Sequence, residues 1–321
     1  MPAFRSFLRL QAVAAFAAAL LASPLALAQQ FVNVLTGGTS GVYYPLGVAL
    51  SQIYGKALPN AKVSVQATKA SAENLNLLQA GRGEIAFTLG DALNEAWKGN
   101  EEAGFKTPLK KLRGVAAIYP NYIQIVASAD SGIKSLADLK GKRVAVGAPK
   151  SGTELNARDI FKAAGMGYKD FSKVEYLPFG ESVELIKNRQ LDATLISAGL
   201  GVAAIRDLAT AVKIVLVPIP ADVVKKIGEA AYQANVVPAN TYNGQTAEVP
   251  TIAVQNFLVT HEGVPADTVY AMTKSMFDNL DAMVAAQASA KAIRKETAAL
   301  GSPVPLHPGA ERYYKEQGLL K

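Results

Sequence analysis

The chain of 321 residues contains no cysteine, which excludes disulfides, thiol chemistry and thiolate metal sites. It has only two histidines, His261 and His307, and neither has a second metal-type side chain at ligand spacing. Both read as structural or surface residues. There is no block of like charge and no Arg/Lys stripe interleaved with aromatics, so nucleic-acid binding finds no support. No Gly-Lys-Ser/Thr phosphate loop occurs, so nothing in the chain supplies energy from a nucleotide. The Gly-x-Ser-x-Gly nucleophile elbow is missing too. Beyond the N-terminus, the longest uncharged apolar-leaning run is Ala193 to Ile205, too short to span a bilayer that needs about 20 residues.

What is present begins with an export signal. Arg5 and Arg9 form a positive n-region, Ala12 to Leu21 an apolar stretch, and Ala26-Leu27-Ala28 a small-x-small cleavage pattern. Residues 1–28 are therefore expected to be a cleaved signal peptide, leaving a periplasmic protein. Removing Arg5 and Arg9 from the 33 basic residues leaves 31 against 26 acidic ones, a dispersed formal charge of +5. The remaining length, about 290 residues, is enough for two lobes of ordinary domain size.

Strand-like and helix-like segments alternate along that length, which argues for α/β layers with largely parallel sheets. Phe31–Leu35, Lys62–Ala67, Ile85–Leu89, Val144–Gly147, Val174–Leu177, Ala193–Ile196 and Val212–Val217 read as strands. Pro45–Ala57, Ala72–Ala80, Thr153–Ala164 and Val183–Asn188 read as helices, as do the blocks Asp267–Ala288 and Ala290–Leu300. The segments Val115–Ile118 with Tyr122–Ala127, and Ile252–Thr260, read as extended crossings. The expected organisation is one lobe from 29–121 plus 252–321 and a second from 122–251, joined by two crossing hinge strands.

Several turns share one chemistry. The first strand runs into Thr36-Gly37-Gly38-Thr39-Ser40-Gly41, followed by a helix with Pro45 in its first turn. Glycines let backbone N–H groups approach a ligand, hydroxyls add donors, and a helix N-terminus adds partial positive charge. Thr68 to Asn74 repeats this mixture, with Ser71 able to cap the next helix. Leu89-Gly90-Asp91, Gly147 to Glu154, and Ser197 to Gly201 follow later strands. In open α/β sheets, ligands sit beyond the carboxyl ends of strands. Five such turns, drawn from both halves, point to a shared anion-binding cleft.

In these segments the chain resembles the TAXI family (TRAP-associated extracytoplasmic immunogenic proteins), the solute receptors of tripartite ATP-independent transporters. The resemblance runs through Thr36 to Gly47, Gln66 to Leu75, Gly147 to Arg158, Gln190 to Ala193, Val249 to Val254, and Pro305 to Tyr314. It implies a two-lobe periplasmic-binding-protein fold of type II kind, each lobe a mixed, mostly parallel sheet with flanking helices. It also implies a receptor that closes on a small organic acid or acidic amino acid, such as glutamate or 2-oxoglutarate, and docks transiently on TRAP membrane subunits. A monomer without a cofactor is expected. The candidate ligand contacts are Gly38, Thr39, Ser40, Tyr43, Lys69, Ser71, Asn74, Asp91, Tyr119, Lys150, Ser151, Thr153, Ser197 and Gly199. Lys69 and Lys150 stand where related sequences often have glycine, and Gly201 where proline is common. The two lysines flank helix N-termini and favour a dicarboxylate.

Two other readings compete. The receptor of an ATP-driven importer is the runner-up, because a fold does not name its partner. An exported hydrolase would draw on Asp91 and Glu154 as acid and base, Ser40 or Ser151 as nucleophile, and His261 or His307 as base.

Overall fold

The computed structural model describes residues 29–321; the signal-like segment 1–28 lies outside the described residues. The strands are β1 (Gln30–Leu35), β2 (Ala61–Gln66), β3 (Ile85–Leu89), β4 (Leu112–Ser128), β5 (Arg143–Ala145), β6 (Lys173–Glu175), β7 (Ala193–Ala198), β8 (Ile214–Val217), β9 (Tyr232–Val237) and β10 (Val249–His261). The helices are α1 (Tyr43–Ala57), α2 (Ser71–Gln79), α3 (Gly90–Lys98), α4 (Gly152–Ala163), α5 (Phe179–Lys187), α6 (Ala203–Ala211), α7 (Ala221–Ile227), α8 (Ala266–Asp278), α9 (Leu280–Ala286) and α10 (Pro308–Glu316).

All ten strands join one sheet in the order β2-β1-β3-β10-β4-β7-β5-β6, with β8 on β4 and β9 on β10. β1/β3, β5/β6 and β5/β7 are parallel, while every pairing that involves β4 or β10 is antiparallel. The two long strands therefore run through the middle and hold an α/β lobe on each side. Helices cover both faces, so β3 and β7 are buried along their whole lengths and read as apolar runs instead of alternating ones. One core packs under α1, α5, α6 and α8. The other packs under α2, α3, α4 and α7.

The ladder between the crossing strands is irregular at a defined place. β4 continues through Pro120, which pairs with Gln255, and the β4–β10 register shifts between Gln255 and Phe257. Proline withholds a donor and a bulge adds local twist, so the ladder is weakest where the lobes meet.

The C-terminal block departs from expectation. Asp267–Ala288 divides into α8 and α9, and Ala290–Leu300 is not an α-helix beyond the short 3₁₀ turn Ala288–Ala292. The reason is the edge of β4. Its first half lacks a strand on one side, and the tail supplies the missing partners. Ala117 N donates to Ala298 O at 2.7 Å, Gly114 N to Pro305 O at 2.8 Å, and His307 N to Gly114 O at 2.8 Å. Backbone groups satisfied this way are withdrawn from any helix.

Candidate functional site

Four helix N-termini converge between the lobes. The cavity they enclose is lined at those termini by Tyr43 of α1, Ser71 of α2, Gly152 and Thr153 of α4, and Phe179 of α5. The first pair of helices comes from one lobe and the second from the other. The cavity has a volume of about 100 Å³. The lining contains no aspartate, glutamate or histidine, and its single ionisable cation is Lys69.

Each turn is held in place from behind. Thr36 N and Oγ1 both donate to Gln66 O, at 3.0 and 2.7 Å, tying the first turn to β2. Asn74 Nδ2 donates to Thr36 O at 2.7 Å and to Phe87 O at 2.8 Å, and its Oδ1 accepts from Thr68 at 2.7 Å. One buried amide thus staples two turns to β3. The Leu89 amide donates to Ser71 Oγ. Ser151 Oγ caps α4 by accepting from Glu154 N at 3.1 Å. Ala70 and Lys150, in the second and fourth turns, have φ of 70° and 61°. Side chains other than glycine adopt that region at a cost of order 1–3 kcal/mol, and such strain gathers at ligand sites.

The lobes touch across this seam. Glu73 N, a free donor in the first turn of α2, donates to Lys150 O at 3.3 Å. A Cβ on Gly152 would lie 2.6 Å from both Leu89 Cδ1 and Ser71 Oγ. On the other rim, a Cβ on Gly180 would lie 3.3 Å from Ser40 Oγ. This is a closed arrangement.

The floor is a chain of neutral polar groups. Tyr43 stacks on Phe87 with ring centroids 5.0 Å apart, and its hydroxyl donates to Asn256 Oδ1. Asn256 Nδ2 donates to Asn121 Oδ1 at 2.7 Å and to Tyr119 O at 2.8 Å. Asn121 Nδ2 donates to Ser197 O at 2.9 Å. Tyr119 lines the cavity and is 1% exposed, yet its hydroxyl has no partner among the described residues. Burial pushes the Tyr43 and Tyr119 phenols far above their ordinary range, so both remain neutral donors. The Tyr119 hydroxyl is therefore a buried donor left available at the cavity wall.

Of the residues singled out in the sequence, Gly38, Tyr43, Lys69, Ser71, Tyr119, Ser151, Thr153 and Ser197 line the cavity. The others do not. Asn74 is the staple just described. Thr39 and Lys150 are exposed, and Ser40 sits at the rim facing α5. Gly199 lies against Ser289, whose Oγ would be 2.1 Å from an added Cβ. Asp91 opens α3 and bonds Asn156 and Tyr232 behind the wall.

Thr68, Asn121, Pro178 and Phe179 line the cavity without having been singled out. Signals existed for the last three. Asn121 interrupts an apolar strand, and Pro178-Phe179-Gly180-Glu181 follows a strand with an acidic first turn.

The hydrolase residues are not assembled. Glu154 is buried against Arg158 and Tyr168, at 2.6 and 2.9 Å. His307 caps α10 and bonds Val264 O at 3.0 Å, and His261 accepts from Gly263 N. Neither histidine is on the lining.

The architecture matches solved structures at low sequence identity. MatC (Rpa3494) from Rhodopseudomonas palustris, solved with bound malate, is 13% identical and superposes with a TM-score of 0.58 over 92% of this chain and 97% of that one. A putative L-cystine ABC transporter from Listeria monocytogenes is 17% identical, with a TM-score of 0.51 over 83% and 98%. The fold is that of two-lobe periplasmic solute-binding proteins. Residues 34–318 match the family model itself, and the chain belongs to the NMT1-like family.

Proposed function

We propose that this protein is a periplasmic receptor of the TAXI kind, which captures a small organic acid by lobe closure and hands it to TRAP membrane subunits. The observation that carries this is the convergence of four helix N-termini, two per lobe, on a cavity lined by neutral donors and free of acidic groups. A helix terminus contributes about 0.3–1 kcal/mol to an anion, up to ~2 when partly buried, and a charged hydrogen bond about 1.5–3 kcal/mol. Three or four such hydrogen bonds, about 4.5–12 kcal/mol, bracket the roughly 8 kcal/mol of micromolar binding, and the helix termini and burial in the closed cleft offset the ordering costs. Groups of this type bind anions without transforming them, because no differently tuned acid–base pair faces the solute.

Lys69, at the mouth, supports a second carboxylate on the solute, as in malate, glutamate or 2-oxoglutarate. Lys150 offers that support only from outside the lining. Ligand contacts made in both lobes shift the population toward closure, and the crossing strands absorb the rotation. A thermal-shift panel of mono- and dicarboxylates, with the bound compound then identified by native mass spectrometry, tests the reading. Stabilisation by an acid recovered unchanged supports it; no response to any anion, or recovery of a hydrolysed product, refutes it.

An ATP-driven importer is the second reading of the partner, favoured by the fold shared with a protein described as an ABC transporter. Co-purification with membrane subunits that carry, or lack, a nucleotide-binding protein separates the two.

A further inference from the structure

Asp91 is 3% exposed and shares the Tyr232 hydroxyl with a second carboxylate, Asp159. Its Oδ2 accepts from Asn156 Nδ2 at 2.6 Å and lies 2.9 Å from the Tyr232 hydroxyl. The same hydroxyl lies 2.7 Å from Asp159 Oδ2. A phenol carries one hydrogen and cannot donate to two carboxylates. With both acids ionised, one of these buried oxygen pairs would face lone pair to lone pair. Asp91 Oδ1 is buried and accepts no well-formed hydrogen bond among the described residues, and the neighbouring Ala92 N–H is the one backbone donor that favours its ionised form, so ionisation there is poorly compensated. One added proton resolves the chain: Asp91 donates to Tyr232, and Tyr232 donates to Asp159.

The chain crosses between the lobes. Asp91 belongs to α3, beside β3, while Asn156 and Asp159 belong to α4, which starts after β5, and Tyr232 opens β9. The surrounding charges do not replace the proton. Glu95 of α3 and Glu229, before β9, add negative charge. Among the cations, Arg158 is bound to Glu154 at 2.6 Å and Lys98 lies 3.6 Å from Glu95. Lys162 favours ionisation of Asp159, not of Asp91.

We propose that Asp91, Tyr232 and Asp159 form a proton-binding site completed only when the lobes close, so that closure takes up one proton. Burial raises the Asp91 carboxyl to about 7, and the charges of Asp159 and Glu229 push the same way. A carboxyl raised in the closed form favours closure fully below its ordinary value near 4. The advantage then falls about tenfold per pH unit up to about pH 7, and is level above that. Solute capture is strengthened where the cell exterior is acidic.

The absence of cysteine makes the test direct. Lys56→Cys and Lys169→Cys, exposed positions at the far ends of α1 and just past α4, accept paired spin labels, and the interlobe distance distribution reports closure with no solute added. The expected closed-to-open ratio is at least tenfold higher at pH 5.5 than at pH 8 in the wild type, and independent of pH in Asp91→Asn. In Asp159→Asn, where Tyr232 donates to Asp91 alone, the transition moves to lower pH. A wild-type ratio that changes less than twofold overturns the proposal, as does a dependence that survives in Asp91→Asn or an unmoved transition in Asp159→Asn. The experiment contains no solute, so its failure leaves the receptor reading standing.

Discussion

Gly152→Ala isolates closure from folding. Gly152 starts α4, and its φ is not in the left-handed region, so alanine suits its backbone. The cost lies across the seam, where the new Cβ would meet Leu89 Cδ1 and Ser71 Oγ at 2.6 Å and Ser71 Cβ at 3.0 Å. Contacts that short do not occur, so the two lobes must separate or the Leu89 and Ser71 side chains must move. Both are almost fully buried, and Ser71 Oγ is engaged by the Leu89 amide. Overpacking of this kind costs about 1–3 kcal/mol. Here it falls on the closed form alone, which corresponds to a roughly 5- to 150-fold loss of affinity at 1.4 kcal/mol per tenfold. Calorimetric titration with the acid identified in the thermal-shift panel measures it, and the melting temperature of the solute-free protein serves as control. An unchanged affinity would mean that the seam between α2 and α4 is not part of the bound state, and the account of closure would fail.

Tyr119→Phe removes the unpartnered hydroxyl, so the solute-free protein keeps or slightly gains stability while affinity drops by about 1.5–3 kcal/mol, read by the same titration. Asn74→Ala removes one partner each from Thr36 O, Phe87 O and Thr68, of which Thr36 O and Thr68 stay bonded to each other at 2.9 Å, and should cost about 1–3 kcal/mol in urea unfolding. Ala70→Gly relieves a φ of 70° and should raise stability by about 1 kcal/mol in the same assay. For Asp91 the folded carboxyl is raised to about 7, so its contribution is present below the unfolded value near 4 and is lost as pH rises to about 7. Asp91→Asn should therefore flatten the stability profile across that window and melt no lower than the wild type at pH 8, its gain capped by the free energy at which the wild type escapes into the open form.

The turns were legible in the sequence because their chemistry is local. Thr36 to Gly41 and Ala148 to Thr153 carry glycine, hydroxyl and helix start within a few residues, and both reach the cavity. Asn121, Asn256 and Phe179 were harder to see, because each gains its meaning from a partner more than 50 residues away. Asn256, for example, is a polar interruption of an apolar strand until Tyr43 and Asn121 are set against it. The helix expected at Ala290–Leu300 failed for a related reason. Its alanine-rich composition favours a helix, but the open edge of β4 offers backbone partners that local propensity does not register. Likewise α3 was hidden behind Leu89-Gly90-Asp91, a strand end that becomes a helix within one residue.

The misplaced expectation for Asp91 carries a physical lesson. A carboxylate after a strand, in a turn beside the ligand cleft, looks like a binding group. Yet beside four helix N-termini its charge would oppose the removal of an anionic solute from water by offering that anion no donor. The fold turns Asp91 away, toward Asn156 and Tyr232 at 2.6 and 2.9 Å, and leaves the cavity to phenols, hydroxyls and backbone amides. Negative charge is thereby confined to the far side of the same seam. In the closure proposed above, the lobes bury two unlike sites together, one that favours an anion and one that favours a proton. Since both are completed by the same rotation, each must strengthen the other by an equal factor, as linkage requires.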